Sequence, residues 1–343
     1  MKRHLNTLFV TTQGAWLSKD GECIVLSLEG RELGRIPIHT LGALVCFGRV
    51  ICSPFLLDHC AQNGVTVSWL TEHGRFMATL QGPTTGNVLL RREQYRLADD
   101  EAAAAALARA FITGKIVNCR TVLQRSLRDR PQDHGDGSLS QACEALGRCL
   151  RRLPGTESLD ALRGVEGEAA TIYFGVFDRL LSPQVQGIRF AGRNRRPPQD
   201  EVNCLLSFFY ALLVNDLRGA LEGVGLDPQM GFLHRLRPGR PSLALDMMEE
   251  FRPVLADRLA LTLLNRGQLR ARDFEHTASG AVLLREKARK EALVAYQERK
   301  RDEVLHPFLN ERMTLGLLWH MQARLLARCI RGELDAYPPY VIR

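Results

Sequence analysis

Hydrophobic and polar positions alternate in short runs along the first eighty residues; beyond them the apolar positions recur every three or four. Thr7 to Thr12, Ala15 to Ser18, Glu22 to Leu28, Arg35 to Ile38, Leu41 to Phe47, Val65 to Leu70 and Phe76 to Leu80 read as strands, with glycines between most of them. One helix is predicted over 54–63, with Pro54 in its first turn and Gly64 just past its end. The spacing is that of a small β-sandwich. After Gln81-Gly-Pro-Thr-Thr-Gly86 the 3.6-residue period takes over, and helices are predicted over 101–115, 116–128, 138–152, 158–181, 200–222, 243–264, 281–303 and 308–333. Polar gaps at 130–137 and 189–199 read as loops. The fold class is therefore α+β: an N-terminal β-sandwich-like domain over 1–85, then a larger all-helical domain over 86–343.

Composition narrows the classes of function. The chain has 343 residues, 45% of them apolar, enough for a sizeable core. Lys and Arg number 46 against 38 acidic residues, a net charge of +8, which favours a polyanionic partner without naming one. The cysteines, nine in all and without a C-x-x-C pair, suggest neither a disulfide framework nor a thiolate zinc site, and fit a reducing cytoplasm. The N-terminal Met-Lys-Arg-His-Leu-Asn lacks the apolar run of a signal peptide, and no long uncharged apolar stretch occurs, so a cytoplasmic protein away from membranes is expected.

The most informative segment runs from Gly231 to Phe251. Pro238-Gly239 marks a turn, Ser242 is a candidate N-cap, and the helix after it carries Asp246 and Glu249 at i, i+3 on one face. His234 lies just upstream, beside Arg235, Arg237 and Arg240. Hard divalent ions such as Mg²⁺ and Mn²⁺ take oxygen ligands, Mn²⁺ also takes imidazole, and arginines beside such a site hold phosphate oxygens. Phosphodiester chemistry is one reading of this mixture; the bland one is an acidic pair on a solvated helix face and a structural histidine. A further carboxylate can come from Glu166, which shares a helix face with Ala169, Ala170 and Tyr173 while Glu168 points elsewhere; such a group is either buried and partnered or turned towards a cleft. Gly164 and Gly167 suggest that another segment packs closely there.

Two more segments have double readings. Arg193, Arg195 and Arg196 precede a helix on which Asn203, Ser207 and Tyr210 align, which suits phosphate binding by the loop with Asn203 at the edge of a site, or a solvated loop before a capped helix. The charged run from Arg285 to Arg301 reads as a solvated helix face laced by i, i+4 pairs, with DNA contact as the alternative.

Four stretches in order resemble a known family: Leu162-Arg-Gly-Val-Glu-Gly-Glu-Ala-Ala170, Asn203-Cys-Leu-Leu-Ser-Phe-Phe-Tyr-Ala-Leu-Leu213, Gly231-Phe-Leu-His234, and Pro241-Ser-Leu-Ala-Leu-Asp-Met-Met-Glu-Glu-Phe-Arg-Pro253. The chain resembles the CRISPR-associated integrase–endonuclease of spacer acquisition, protein one of CRISPR adaptation. Its Glu249-Glu-Phe-Arg-Pro253 and Tyr337-Pro-Pro-Tyr340 look like the form beside type I-C systems. The resemblance spans the chain and implies that Glu166, His234, Asp246 and Glu249 are the catalytic metal ligands for Mg²⁺ or Mn²⁺. Many members have aspartate at the last position, and the loop after His234 is longer here by about two residues, so Glu250 competes with Glu249. The resemblance further implies a homodimer joined largely through the β domains, association with the small second adaptation protein, and double-stranded or branched DNA as substrate. The implied reaction is attack of a strand's 3′-hydroxyl on a repeat phosphodiester, with hydrolysis when water attacks instead. Rival readings are a metal-dependent phosphoesterase on small substrates and a non-catalytic DNA-binding scaffold.

Overall fold

The protein is described by a computed structural model over residues 6–72, 76–80, 88–130 and 135–342. The stretch 81–86, read above as the domain boundary, and most of the N-terminal Met1 to Asn6 lie outside these residues.

The N-terminal region forms two four-stranded sheets. One has the order β1 (Asn6–Val10), β5 (Leu41–Phe47), β7 (Thr66–Leu70), β8 (Phe76–Leu80), with β1 and β7 both parallel to β5. The other runs β4 (Arg31–Pro37), β3 (Cys23–Leu28), β2 (Trp16–Asp20), β6 (Ile51–Cys52). The two-residue β6 escaped the sequence reading because it is too short to show a period. Helix α1 (Pro54–Gln62) starts on the Ser53 hydroxyl, which accepts from the Leu56 amide at 3.3 Å. The alternation in β5 explains how this region joins the rest. Leu44 and Cys46 enter a small core with Val10, Leu17, Ile24 and Val67, whereas Val45 and Phe47 enter the large core of the helices. A central strand buried on both faces reads as a continuous apolar run, as Leu41 to Phe47 does.

The helical region comprises α2 (Val88–Asp99), α3 (Glu101–Asp129), α4 (Ser138–Arg152), α5 (Leu159–Gly175), α6 (Glu201–Val224), α7 (Ser242–Phe251), α8 (Arg258–Asn265), α9 (Glu286–Lys300) and α10 (Leu315–Ile330). The helices expected over 101–115 and 116–128 are one, because Gly114 is tolerated inside a buried helix. A Cβ there would meet Glu250 Cγ at 3.0 Å and Pro339 Cβ at 3.1 Å, so glycine lets the C-terminal tail lie against α3. The helical starts expected at 281 and 308 are displaced by short hairpins, β9 (Phe274–His276) with β10 (Val282–Leu284) and β11 (Glu303–His306) with β12 (Glu311–Thr314). Helices α3 and α6 are long and apolar enough to span a bilayer, but 61% of each apolar window is buried inside the molecule, so they serve here as core helices.

The charged α9 is only partly the solvated face expected of it. Lys290 pairs with Glu286 at 2.8 Å on its outside, while Arg289 and Lys300 are buried. Lys300 Nζ lies 2.9 Å from Asp216, and Gln297 Nε2 donates to the Thr7 carbonyl at 2.7 Å, so this helix docks on the N-terminal sheet.

Candidate active site

Helix α7 begins without the cap expected from Ser242, which is its first helical residue and has no capping hydrogen bond. The Leu243 and Ala244 amides donate instead to the Pro228 carbonyl, at 3.0 and 3.2 Å. The loop from 226 to 241 is thereby pulled over the helix, and its Phe232, Leu233 and His234 amides all reach Asp246. Oδ2 accepts from Phe232 and Leu233 at 2.6 and 2.9 Å, and Oδ1 from His234 at 2.9 Å. The imidazole Nδ1 lies 2.5 Å from the same Oδ1. A carboxylate can only accept there, so Nδ1 carries the proton and the other nitrogen, Nε2, is left for the site. Gly231 makes this approach possible: a Cβ would stand 2.7 Å from Asp246 Oδ2 and 2.7 Å from the Ser242 carbonyl carbon. Asp246 is fully buried, and both its oxygens are taken up by these bonds.

Glu249 is one helical turn further on and 1% exposed. Its Oε1 is 2.5 Å from Arg252 and 3.9 Å from His234 Nε2, and its Oε2 is 2.7 Å from Lys115 Nζ. Glu249 is thus held between two cations, Arg252 on one oxygen and Lys115 on the other. Lys115, on α3, also makes a short contact with Glu166 of α5. Burial by itself would push the Glu249 carboxyl up, but Arg252, Lys115 and His234 outweigh it and hold it down at about 2. Burial likewise opposes the charge on Lys115, yet Glu249 and Glu166 raise it above the ordinary lysine value, so the group is an ammonium. Glu166 and Glu249 thus meet at Lys115, and His234 approaches Glu249 from a third segment. Glu168 turns outward to pair with Arg152 at 2.7 Å, as its helix face predicts. The close packing expected at Gly164 and Gly167 does not occur, since a Cβ at either would meet open space.

Glu250 faces the other way. It accepts from Tyr337 Oη at 2.8 Å, the Tyr340 amide at 2.6 Å and Gln322 Nε2 at 3.1 Å.

The arginine segments also meet. Arg240 is held below its ordinary value by burial and then by positive neighbours, Arg237 from its own turn and Arg195 and Arg196 from the loop before α6. Arg195, Arg196, Arg235 and Arg237 are exposed, and Arg235 reaches Asp160 at 3.2 Å. Asn203 is not at the edge of the site: it is fully buried and clamps the loop by donating to the Gly192 carbonyl at 2.8 Å and accepting from the Asn194 amide at 3.1 Å. Arg193 is likewise turned inward, donating to Asn203 at 2.6 Å and stacking over Tyr210 with its guanidinium carbon 5.3 Å from the ring centre. Arg252 approaches the same ring, at 4.9 Å, and the Tyr210 hydroxyl donates to Asp257 at 2.7 Å.

Sequence reasoning missed Lys115 and Arg252. The signal for Lys115 was a lone charge at a core position, on the face of Phe111, Ile112 and Cys119 in an otherwise apolar helix. Arg252 opens a π-helical turn, Arg252–Asp257, that contains Pro253, which has no N–H to continue the α-helical ladder. No period announces that turn.

Acids, an imidazole and exposed arginines on a helical scaffold are the kind of side chains that chemistry on phosphodiesters uses. The particular family comes from comparison. The model of CRISPR associated protein Cas1 matches residues 8–298, and the chain belongs to that family. It is similar to CRISPR-associated endonuclease Cas1 1 of Chlorobaculum tepidum, 57% identical over 343 residues and covering 100% of both chains. In fold it resembles a casposase bound to integration product, with a TM-score of 0.83 at 22% identity, covering 97% of this chain and 93% of the other. A chain of a Cas6-RT-Cas1–Cas2 complex is similar over 99% of this chain and 36% of its own length, with a TM-score of 0.82 at 22% identity.

Proposed function

We propose that this protein is the metal-dependent DNA endonuclease and integrase of CRISPR spacer acquisition, with Glu166, His234 and Glu249 as the residues that hold a divalent cation, Mg²⁺ or Mn²⁺. The observation that carries the reading is that Glu166 and Glu249 both touch the Lys115 ammonium while the imidazole Nε2 of His234 is 3.9 Å from Glu249. Carboxylate oxygens and an imidazole are donors of the kind a hard or borderline divalent ion takes, although among the described residues no three of these groups lie close enough together to hold one as the side chains stand, the Lys115 ammonium occupying the space between the two acids. Bound there, the ion supplies Lewis acidity and charge neutralisation at a scissile phosphodiester.

The chain's own residues do the rest. Asp246, assigned a ligand role from the family resemblance, acts here as a positioning residue: with both oxygens engaged it fixes the loop 232–234 and the His234 tautomer, so that Nε2 faces the site. Arg252 keeps Glu249 ionised and aimed. Glu250 serves the fold. Arg195, Arg196, Arg235, Arg237 and Arg240 form the rim that binds DNA phosphates, and Arg193 and Asn203 build the loop that presents it. A rim extending past the acids favours a polymeric substrate over a small phosphoester. The bond that forms joins a strand's 3′-oxygen to a repeat phosphorus, and the one that breaks releases the repeat's own 3′-oxygen; water in place of the hydroxyl gives endonuclease activity.

The names of the relatives support DNA and the second adaptation protein, Cas2, as partners, since one similar chain belongs to a complex with Cas2 and another is bound to an integration product. Homodimerisation through the β-rich region, taken as residues 1–85, is supported by apolar side chains left exposed there: Trp16 and Ile51 are paired across β2 and β6 at 44% and 54% exposure, and Phe55 in the first turn of α1 is 80% exposed. We place the protein in the cytoplasm, where its free cysteines would stay reduced. The test is conversion of a branched DNA substrate. Activity should require Mg²⁺ or Mn²⁺ and vanish in Glu166→Ala and His234→Ala while far-ultraviolet circular dichroism stays native. Full conversion in the presence of a chelator would overturn the reading.

A further inference from the structure

The proposed cation ligands are already bridged by a charge of the protein's own. Lys115 is 6% exposed, at a position where an unpaired ammonium would be costly, and its Nζ touches both Glu166 and Glu249. Its neighbours on α3 are apolar: Phe111 and Ile112 one turn back and Cys119 one turn on are all buried. A structural lysine would be expected to satisfy one carboxylate with well-directed hydrogen bonds. This one instead spans two acids from different helices, α5 and α7. The space its ammonium fills is the space between the two carboxylates, open on the Glu166 side, where that side chain is 27% exposed.

We infer that Lys115 is a resident counter-cation: a positioning residue that holds Glu166 and Glu249 together in the metal-free protein and withdraws from between them when the divalent ion binds. The inference rests on the metal reading above. Two carboxylates brought this close would repel, and the ammonium removes that repulsion while the site waits for its ion. The same positive charge competes with the ion, so affinity for free metal is kept low until DNA phosphates add their negative charge.

The experiment is Mn²⁺ binding to the DNA-free, full-length protein by calorimetry, with melting temperature measured with and without Mn²⁺, on the wild type and Lys115→Met. Methionine keeps the apolar stem and removes the charge. The variant should bind Mn²⁺ about tenfold or more tightly, and Mn²⁺ should raise its melting temperature by more than it raises the wild type's. Equal or weaker binding by the variant overturns the inference while leaving the metal reading intact; no binding by either protein removes both. Should Lys115→Met not fold, a crystal structure of the wild type soaked in Mn²⁺ decides the matter. An ammonium withdrawn from both acids supports the inference, and one still bridging them beside a bound ion refutes it.

Discussion

Glu249 and Glu250 are consecutive in sequence and equally hidden from water, at 1% and 0% exposure, yet they live in opposite electrical worlds. On one face of α7, Glu249 meets two cations and an imidazole, and its carboxyl is held at about 2. On the other, Glu250 meets hydroxyl, amide and backbone donors alone, and burial pushes it up to about 8. The difference teaches that burial does not make a carboxylate functional. A carboxylate left ionised among cations keeps the charge that a metal ion needs, whereas one caged by neutral donors pins the C-terminal tail to the core.

The sharpest way to break this contrast is to neutralise each partner in turn. Glu249→Gln should lower strand transfer on branched DNA by about a thousandfold, several kcal/mol in the barrier, in a single-turnover assay, whereas Glu250→Gln should leave the rate within a factor of about two. Glu250→Ala tests the structural face: it strands the Tyr337 hydroxyl, the Gln322 amide and the Tyr340 N–H in the core, and denaturant unfolding should show a loss of about 3 kcal/mol or more.

Asp257 refines the comparison, as a buried acid between the two extremes. Burial raises it to about 6 although the Tyr210 hydroxyl donates to it. The native state therefore binds more protons than the unfolded chain between pH ~4 and ~6, and the stability this group contributes is lost as pH rises through that window. Asp257→Asn does not titrate, so its stability relative to the wild type should grow by about 2 kcal/mol from pH 4 to pH 6, read as a rising difference in melting temperature. The smallest effect belongs to the rim. Arg237→Ala should weaken DNA binding almost uniformly across sequences and reduce the slope of log affinity against log salt by about 1, in fluorescence anisotropy titrations.

Much of this was legible in the residues. Strand and helix patterns are local, so the change from alternation to a 3.6-residue period after residue 80 showed, as did the face shared by Asp246 and Glu249. The short strand Ile51–Cys52 and the hairpins around 274–284 and 303–314 did not show, being held by pairing partners instead of by a period of their own. Asn203 reads from sequence as a polar residue on a helix face and turns out to be a buried loop clamp, because the loop from 192 to 194 folds back over it.

The sequence by itself determined which side chains could do chemistry and which helix faces they occupy, because composition and helical geometry are properties of a few neighbouring residues. Only the tertiary structure decided which of them share a site. It brought α5 and α7 against α3, so that Lys115 faces Glu166 and Glu249, and it turned Glu250 to the tail and gave Asp246 to the loop 232–234. Partners separated by 51, 90 and 134 positions leave no trace in a local pattern, yet the charges and donors they bring into contact set each acid's role.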